Sequence, residues 1–268
     1  MKKYFSNKSF VIGFSLICFF ALLMIFGFFF LPYDPNLPDL ENKFSSFSKT
    51  HLLGTDHLGR DVFSRILVGT RFSMGIGFSV MFFGCLGGFV LGSVSGYFGG
   101  KFDIIIQKII VALMSFPGIL LALMLIAVFG TGLQITILAL CIMSLPRFTR
   151  ITRSSFMKFK NSLFVKSARA KGASHFRLII IHILPNALPE ILVTCSVSFA
   201  LAILSESGLS YLGLGIQPPA SSFGRMLNDA QRFIFRFPQG VVIPALFLVL
   251  LVFAFNLLAD GISEVNNN

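Results

Sequence analysis

Long apolar runs without charge constrain this chain more than any other feature. Residues 9–33, 72–100 and 109–146 contain no Asp, Glu, Lys or Arg. A helix of roughly 20 apolar residues crosses the hydrocarbon core of a bilayer, so each run is long enough to span a membrane. Charged residues make up only 12% of the chain, about half the share of a soluble domain. Ordinary soluble enzymes and disordered proteins are therefore excluded, and the sequence predicts an all-α polytopic membrane protein.

Six transmembrane helices are predicted. The first apolar run is longer than the core of a signal peptide and lacks a small-residue cleavage site, so we interpret it as an uncleaved helix. The third run is too long for one crossing, and the turn signal Phe129-Gly130-Thr131-Gly132 divides it into two helices. Glu190 interrupts the fifth span. The predicted spans lie in residues 9–31, 72–100, the two halves of 109–146, 186–207 and 237–259.

The segments between the spans complete the predicted organisation. Six crossings place both termini on one side of the membrane, and a core of five helices covers residues 72–262. The remaining parts are an N-terminus at 1–8, an outer loop at 32–71, a cytoplasmic loop at 147–185, a second outer loop at 207–236 and a tail at 263–268.

Basic residues concentrate in one of these segments and predict the orientation. Residues 147–185 carry nine Lys or Arg and no acidic residue, whereas residues 32–71 carry five basic and five acidic residues. Positive charge favours the cytoplasmic side, so we expect both termini and the basic segment in the cytoplasm. Because this segment supplies most of the net charge of +11, nucleic-acid binding is the less economical interpretation. A surface helix held by acidic lipid headgroups is an alternative.

The basic segment is predicted to contain two short helices joined by a glycine. Residues 163–171 suit one helix, Gly172 suits a left-handed helix end, and Ser174 is a good N-cap for the next helix. Pro185 is expected to close that second helix before the next crossing. Its apolar face is predicted from helical spacing to consist of Phe176, Ile179, Ile180, Ile183 and Leu184.

The same segment resembles the "EAA" loop of the permease subunits of ATP-binding-cassette (ABC) importers. The similarity rests on the sequence from Lys166 to Ser174 and on Leu184-Pro185. Lys166 stands where the pattern usually has Glu, and Ser167 where it has Ala. The resemblance implies that the loop docks onto a cytoplasmic ATPase. The implied coupling residues are Lys166, Ser167, Ala168, Arg169, Gly172, Leu184 and Pro185.

Two further motifs resemble the second, C-type permease of dipeptide, oligopeptide and nickel importers. Residues 51–65 match the pattern H-x-L-G-T-D-x-x-G-R-D-V-x-S-R, and residues 210–219 read SYLGLGIQPP. Both lie in the predicted outer loops, where they form either a contact for a substrate-delivering protein or a gate, or else a solvated cap on the helices. Asp56, Arg60, Asp61 and Arg65 are expected to pair their charges. The candidate contact residues are Asp56, Arg60, Asp61, Arg65, Gln217, Pro218 and Arg225.

This resemblance implies a type I (MetI-like) permease fold and a role in importing dipeptides or oligopeptides across the bacterial inner membrane. Nickel chelates are the alternative cargo. The implied partners are a second, homologous permease, two ATPase subunits, an external binding protein and membrane lipid. A phosphate-binding loop of the form G-x-x-x-x-G-K-[ST] is absent from the sequence, so we expect ATP to be used by partner subunits. No cofactor or metal is expected on this chain.

Small residues and isolated carboxylates inside the spans carry the remaining predictions. Glycines at every fourth position favour close packing of helix backbones. Glu190 and Glu206 are the two carboxylates that a stand-alone secondary transporter would use for ion coupling, which is the less favoured functional class. An intramembrane enzyme would need clustered nucleophiles, bases or metal ligands, which the sequence lacks. The predicted packing ridge consists of Gly84, Gly88, Gly92, Gly96 and Gly100.

Overall fold

The computed structural model describes residues 2–267, and its regular structure in that range is helical. Five helical stretches are long and apolar enough to cross a membrane, and a bent pair of helices makes a sixth when the pair is counted as one span. In chain order the helices are α1 (Lys2–Phe5), α2 (Lys8–Phe29), α3 (Val62–Phe98), α4 (Gly100–Met114), α5 (Gly118–Phe129), α6 (Leu133–Phe159), α7 (Leu163–Ala170), α8 (His175–Arg177), α9 (Leu184–Tyr211), α10 (Phe223–Ala230) and α11 (Gln239–Asn267).

The third uncharged run of the sequence, residues 109–146, is broken at two places in the structure. The predicted turn at Gly130 separates α5 from α6, and a further break bends α4 against α5 by 87°. Pro117 is the N-cap of α5. Proline lacks a backbone N–H and disfavours helical geometry in the residue before it, so it ends the preceding helix. The sequence predicted the boundary at Gly130.

Pro146 lies inside α6 and does not end it. Neighbouring helices in a bundle tolerate a proline because they compensate the lost hydrogen bond. The helix therefore runs on to Phe159, which corrects the predicted loop 147–185 at its start. Arg147, Arg150 and Arg153 consequently lie on a membrane-spanning helix.

Helix α3 begins within the predicted outer loop 32–71. The Asp61 carboxylate accepts a hydrogen bond from the Ser64 backbone N–H at 2.7 Å and so caps the helix. An N-cap carboxylate satisfies one of the free N–H groups of the first turn. Val62 and Ile66 are buried in the bundle, so residues 62–71 belong to the core.

Helices α3 and α6 run in parallel and meet along glycines. A Cβ added at Gly92 would lie 2.6 Å from the Thr149 carbonyl oxygen, and one at Gly96 would lie 2.7 Å from the Arg153 carbonyl oxygen. Gly84 and Gly88 face Ser144 and Phe148 in the same way. Only glycine permits this approach of two backbones.

Gly100 lies off this ridge, which corrects the predicted run of five. It is the first residue of α4, its φ is +58°, and an added Cβ would meet no atom within 4 Å. The four-residue spacing ends at Gly96 because α3 ends at Phe98.

Both chain ends lie at the same end of the bundle. The Tyr4 hydroxyl donates to the Asn266 side chain at 3.0 Å, and the Asn7 amide donates to Glu264 at 2.6 Å. Tyr97, at the last turn of α3, contacts α8 there through a hydrogen bond to His175. We call this the elbow end, after the elbow formed by residues 163–183, and the opposite end, which holds residues 32–61 and α10, the distal end.

Candidate functional site

The elbow is shaped by a glycine turn between two short helices. α7 ends at Ala170, and Gly172 follows with φ +82°. The Ala173 N–H donates to the Ala168 carbonyl at 3.1 Å, and the Gly172 N–H donates to the Arg169 carbonyl at 3.0 Å. This pair of bonds is the Schellman motif, which closes a helix with a left-handed residue. The predicted helix over 163–171 and the predicted left-handed glycine are confirmed by these contacts.

The second elbow helix begins as predicted but does not stop at Pro185. Ser174 caps α8 by accepting from the Arg177 N–H at 3.4 Å. A π-helical turn, Leu178–Ile183, then leads directly into α9, in which Pro185 occupies the first turn. Proline is tolerated there because the N–H groups of a first turn have no intrahelical partner. The elbow is therefore continuous with a membrane-spanning helix.

The π-helical turn also shifts the apolar face of the elbow. Leu178 and Ile183 are fully buried, whereas Phe176, which the helical spacing placed on the inner face, is 75% exposed. Hydrogen bonds of the π type join residues five apart, and Leu178 and Ile183 have this spacing. The spacing of an ordinary α-helix cannot predict such a shift.

The outward surface of the elbow is basic, with small and apolar residues between the charges. Leu163 is 85% exposed, while Val165 is buried against the bundle. Within residues 2–267 no ion pair is formed by Lys166, Lys171 or Arg177. Of the predicted coupling residues, Lys166, Ser167, Arg169, Gly172 and Pro185 are exposed, and Ala168 and Leu184 are half-buried.

A polar contact joins the elbow to the end of α3. The Tyr97 hydroxyl lies 2.7 Å from His175 Nδ1, and Arg169 Nη2 donates to the same hydroxyl at 3.3 Å. The Arg169 guanidinium also lies 5.9 Å from the centre of the Tyr97 ring. We call these three residues the latch. It joins α3, α7 and α8.

Ion pairs hold the helices beneath the elbow. Arg153 on α6 makes a bidentate contact with Asp103 on α4, with N···O distances of 2.6 and 2.7 Å. Glu190 on α9 pairs with Lys158 on α6 at 3.1 Å and also accepts a hydrogen bond from Ser155. Glu190 is therefore a link between two helices.

Arginines and aspartates at the distal end form a buried ionic group, the distal cluster (Asp56, Arg60, Arg65, Arg225 and Asp229). Asp56 contacts Arg60 at 2.7 Å and Arg65 at 3.6 Å. Asp229, on α10, contacts Arg60 at 3.2 Å, Arg65 at 3.1 Å and Arg225 at 3.1 Å. The side chain of Arg65 is only 3% exposed. The cluster fastens the segment before α3 to α10.

Asp61 does not pair with an arginine, which corrects the predicted charge pairing. Its carboxylate caps α3 and lies 2.9 Å from His51 Nδ1. Asp229, which is distant in the sequence, pairs with the arginines instead of Asp61. The Arg225-x-x-x-Asp229 spacing was the available signal, because residues four apart share a helix face.

The SYLGLGIQPP segment is fixed by internal hydrogen bonds. The amide of Gln217 donates to the carbonyls of Gly213 and Gly215, both at 3.0 Å, and so faces inward. Pro218 is exposed. Ser210 donates to the fully buried Glu206 at 2.6 Å and accepts from the Ile216 N–H at 3.0 Å. Glu206 therefore organises this loop, and within the described part of the chain it contacts no arginine.

Two contacts could not be found from sequence reasoning. The latch and the Arg153–Asp103 pair each join residues distant in the chain. Within residues 2–267 there is no group of three or more His, Cys, Asp or Glu placed to hold a metal ion.

Comparisons with known proteins agree with this architecture. Residues 88–267 match the family described as "Binding-protein-dependent transport system inner membrane component", and residues 1–49 match "N-terminal TM domain of oligopeptide transport permease C". The chain is 39% identical over 250 residues to the glutathione transport system permease protein GsiD of Pectobacterium atrosepticum, covering 92% of this chain and 83% of the relative. It is 35% identical over 258 residues to the dipeptide transport system permease protein DppC of Alkalihalophilus pseudofirmus, covering 96% and 85%.

Solved structures support the same fold. An inward-facing MetNI methionine ABC transporter superposes with a TM-score of 0.63 at 18% identity, over 77% of this chain and 97% of that chain. A second likeness is to an amino acid ABC transporter solved with histidines, with a TM-score of 0.54 at 17% identity over 70% and 87%. At these identities the likeness establishes the MetI-like fold. The family match and the curated relatives carry the identification: the chain belongs to the inner-membrane components of binding-protein-dependent transport systems and is a permease subunit of an ABC importer.

Proposed function

We propose that this chain forms part of the pathway by which a bacterial inner membrane imports short peptides. The relatives are named for glutathione and dipeptide transport, and both cargoes are peptides with free carboxylates. A second, homologous permease completes the pathway, an external binding protein delivers the peptide, and membrane lipid surrounds the pair. Nickel chelates are the alternative cargo.

The elbow faces the cytoplasm in this proposal. Positive residues favour the cytoplasmic side of a membrane, and the basic residues after Phe159 lie at the elbow end. Both termini lie at that same end, and the N-terminal segment adds Lys3 and Lys8. The distal end, with the SYLGLGIQPP loop and α10, then faces the binding protein.

The observation that carries the proposal is the surface of the elbow. Its helix ends at a left-handed glycine with open space around it, so a partner can approach the backbone closely. Exposed Leu163 and Phe176 add apolar contact area, and unpaired lysines add charge. We infer that a cytoplasmic ATPase binds here and that ATP is hydrolysed by that partner.

Two connections suit the elbow to transmit movement. The π-helical turn makes it continuous with α9, and the latch fixes it to α3. When the ATPase subunits close on ATP, they displace the elbow, and α3 and α9 move with it. The bundle then changes between inward-open and outward-open states.

Co-purification tests the assignment of the elbow. The complete importer is solubilised in detergent and captured through a tag on this chain. The double variant Ala168→Arg with Gly172→Arg is expected to lose the ATPase, because two bulky cations then occupy the contact surface. Gly130→Arg is the matched control. Gly130 also has a positive φ and open space around it, but it lies at the C-terminal end of α5, outside the elbow.

Retention of the ATPase by the double variant would contradict the proposal. Proton-driven peptide uptake by this chain alone in proteoliposomes would favour a stand-alone secondary transporter. Uptake of a nickel chelate, with no uptake of glycyl-phenylalanine or glutathione by the complete importer, would assign the alternative cargo.

A further inference from the structure

Two arginines on α6 have no acidic partner among the described residues 2–267, although they lie on a membrane-spanning helix. Arg147 lies about 21 Å along α6 from Leu133, at a rise of about 1.5 Å per residue, which is near the middle of the helix. An ionisable residue in a membrane-spanning segment is costly and often functional. Within the part of the chain that the structure describes, neither Arg147 nor Arg150 forms an ion pair.

The contrast with Arg153 on the same helix shows that the missing partner is a local feature. Arg153 makes two short contacts to Asp103. The other nearby carboxylate, Glu190, is already engaged by Lys158 and Ser155. Arg147 and Arg150 therefore present guanidinium groups whose charge is balanced by nothing else in the described chain.

Both arginines line one groove at the bend between α4 and α5. The groove has a volume of about 430 Å³, and pockets for small molecules usually occupy about 300–1,000 Å³. Its remaining walls are largely apolar and include Met114, Leu121 and Met143.

A smaller cavity adjoins the groove and carries polar groups. It has a volume of about 160 Å³, and Arg147 and Met143 line it as well as the groove. Ser144 and Ser198 also line it. The Ser144 hydroxyl donates to the Cys141 carbonyl, whereas the buried Ser198 hydroxyl has no hydrogen-bond partner within residues 2–267. A guanidinium and one free hydroxyl around one space form a site for an anionic, hydrogen-bonding group.

We propose that Arg147 and Arg150 bind the C-terminal carboxylate of a peptide as it passes through the importer. This inference rests on the proposed function and deepens it by naming the contact. A lipid phosphate carries the same kind of charge, and the lipid composition of the vesicles distinguishes it from a peptide carboxylate. Guanidinium and carboxylate groups make paired, charge-assisted hydrogen bonds.

Uptake by the complete importer in proteoliposomes tests the site. The variants are Arg147→Gln and Arg147→Lys, and the control is Arg71→Gln, an exposed arginine of α3 outside the groove. The probes are glycyl-phenylalanine and the same dipeptide with a C-terminal amide. Each rate is normalised to the affinity of the binding protein for that probe.

Arg147→Gln is expected to lower uptake of the free-acid dipeptide by about tenfold, the effect of losing one hydrogen bond to a charged group. Uptake of the amide is already slow in the wild type and falls no further. Arg147→Lys retains part of the uptake, and Arg71→Gln retains all of it. Basal ATP hydrolysis is unchanged in Arg71→Gln.

Several outcomes would overturn the inference. Equal loss for acid and amide would assign Arg147 a structural role, and no loss would remove it from the pathway. A loss confined to vesicles with phosphatidylglycerol would identify a lipid phosphate as the ligand. Loss of the second permease on purification would identify an acidic residue of that partner. Failure of the wild type to import either glycyl-phenylalanine or glutathione would overturn the peptide assignment itself, and with it this site.

Discussion

The two ends of the bundle use basic residues in opposite ways. At the distal end, Arg60, Arg65 and Arg225 are largely buried and share Asp56 and Asp229. At the elbow end, Lys166 and Lys171 are exposed and form no ion pair within residues 2–267. Buried charge must be balanced inside the chain, whereas exposed charge is free for a partner. The distal cluster thus stabilises contacts within the chain, and the elbow is a contact surface for a partner.

Removing the shared acid of the distal cluster is expected to have the largest effect. Asp229→Asn leaves three arginines with one carboxylate, so the free energy of unfolding should fall by about 3 kcal/mol, the usual cost of breaking a buried ion pair. Thermal unfolding in detergent measures it as a lower Tm.

The elbow supplies the counterpart for this experiment. Lys166→Ala removes a charge that is exposed and unpaired, so the free energy of unfolding should change by less than about 0.5 kcal/mol. Equal decreases in Tm for Asp229→Asn and Lys166→Ala would contradict the conclusion that basic residues have different roles at the two ends.

An intermediate effect is expected at the latch, which is a polar link between the elbow and α3. Tyr97→Phe removes a hydroxyl that contacts both His175 and Arg169, at a cost of about 1 kcal/mol. Hydrogen exchange should accelerate in α7 and α8 while the rest of the bundle is unaffected.

Tyr211→Phe serves as the control for the latch. Its hydroxyl makes no hydrogen bond within the described chain, so exchange in the elbow should match the wild type. If Tyr97→Phe also left the exchange of α7 unchanged, the elbow would be held by apolar packing alone.

The smallest effect is expected from His57, beside the distal cluster. Burial lowers the pKa of His57 below its usual value of 6.5, and its ring stacks on Phe233. The unfolded chain therefore takes up the proton first, and stability is lost as the pH falls below about 6.5. In His57→Gln this loss is absent, so the Tm of the variant should gain on the wild type between about pH 7 and pH 5. A constant difference in Tm over this range would contradict the assignment.

Local sequence signals predicted a large part of the elbow. Ser174, Gly172 and the apolar runs act through contacts within a few residues, so their effects can be derived from the chain alone. The π-helical turn and the passage through Pro146 could not be derived in this way. They depend on neighbouring helices, which compensate the hydrogen bonds that backbone groups lose within their own helix. No local sequence pattern encodes this compensation.

The sequence by itself determined the membrane class, the number of spans and the packing ridge from Gly84 to Gly96. Apolar length and residue spacing are properties of the chain, and water and lipid act on them wherever they occur. Only the tertiary structure decided which charges are balanced. Asp229 forms ion pairs with three arginines, and Asp103 forms one with Arg153 across the bundle. Arg147 and Arg150 form no ion pair within residues 2–267. Electrostatic pairing depends on distance in space, and the fold alone sets that distance.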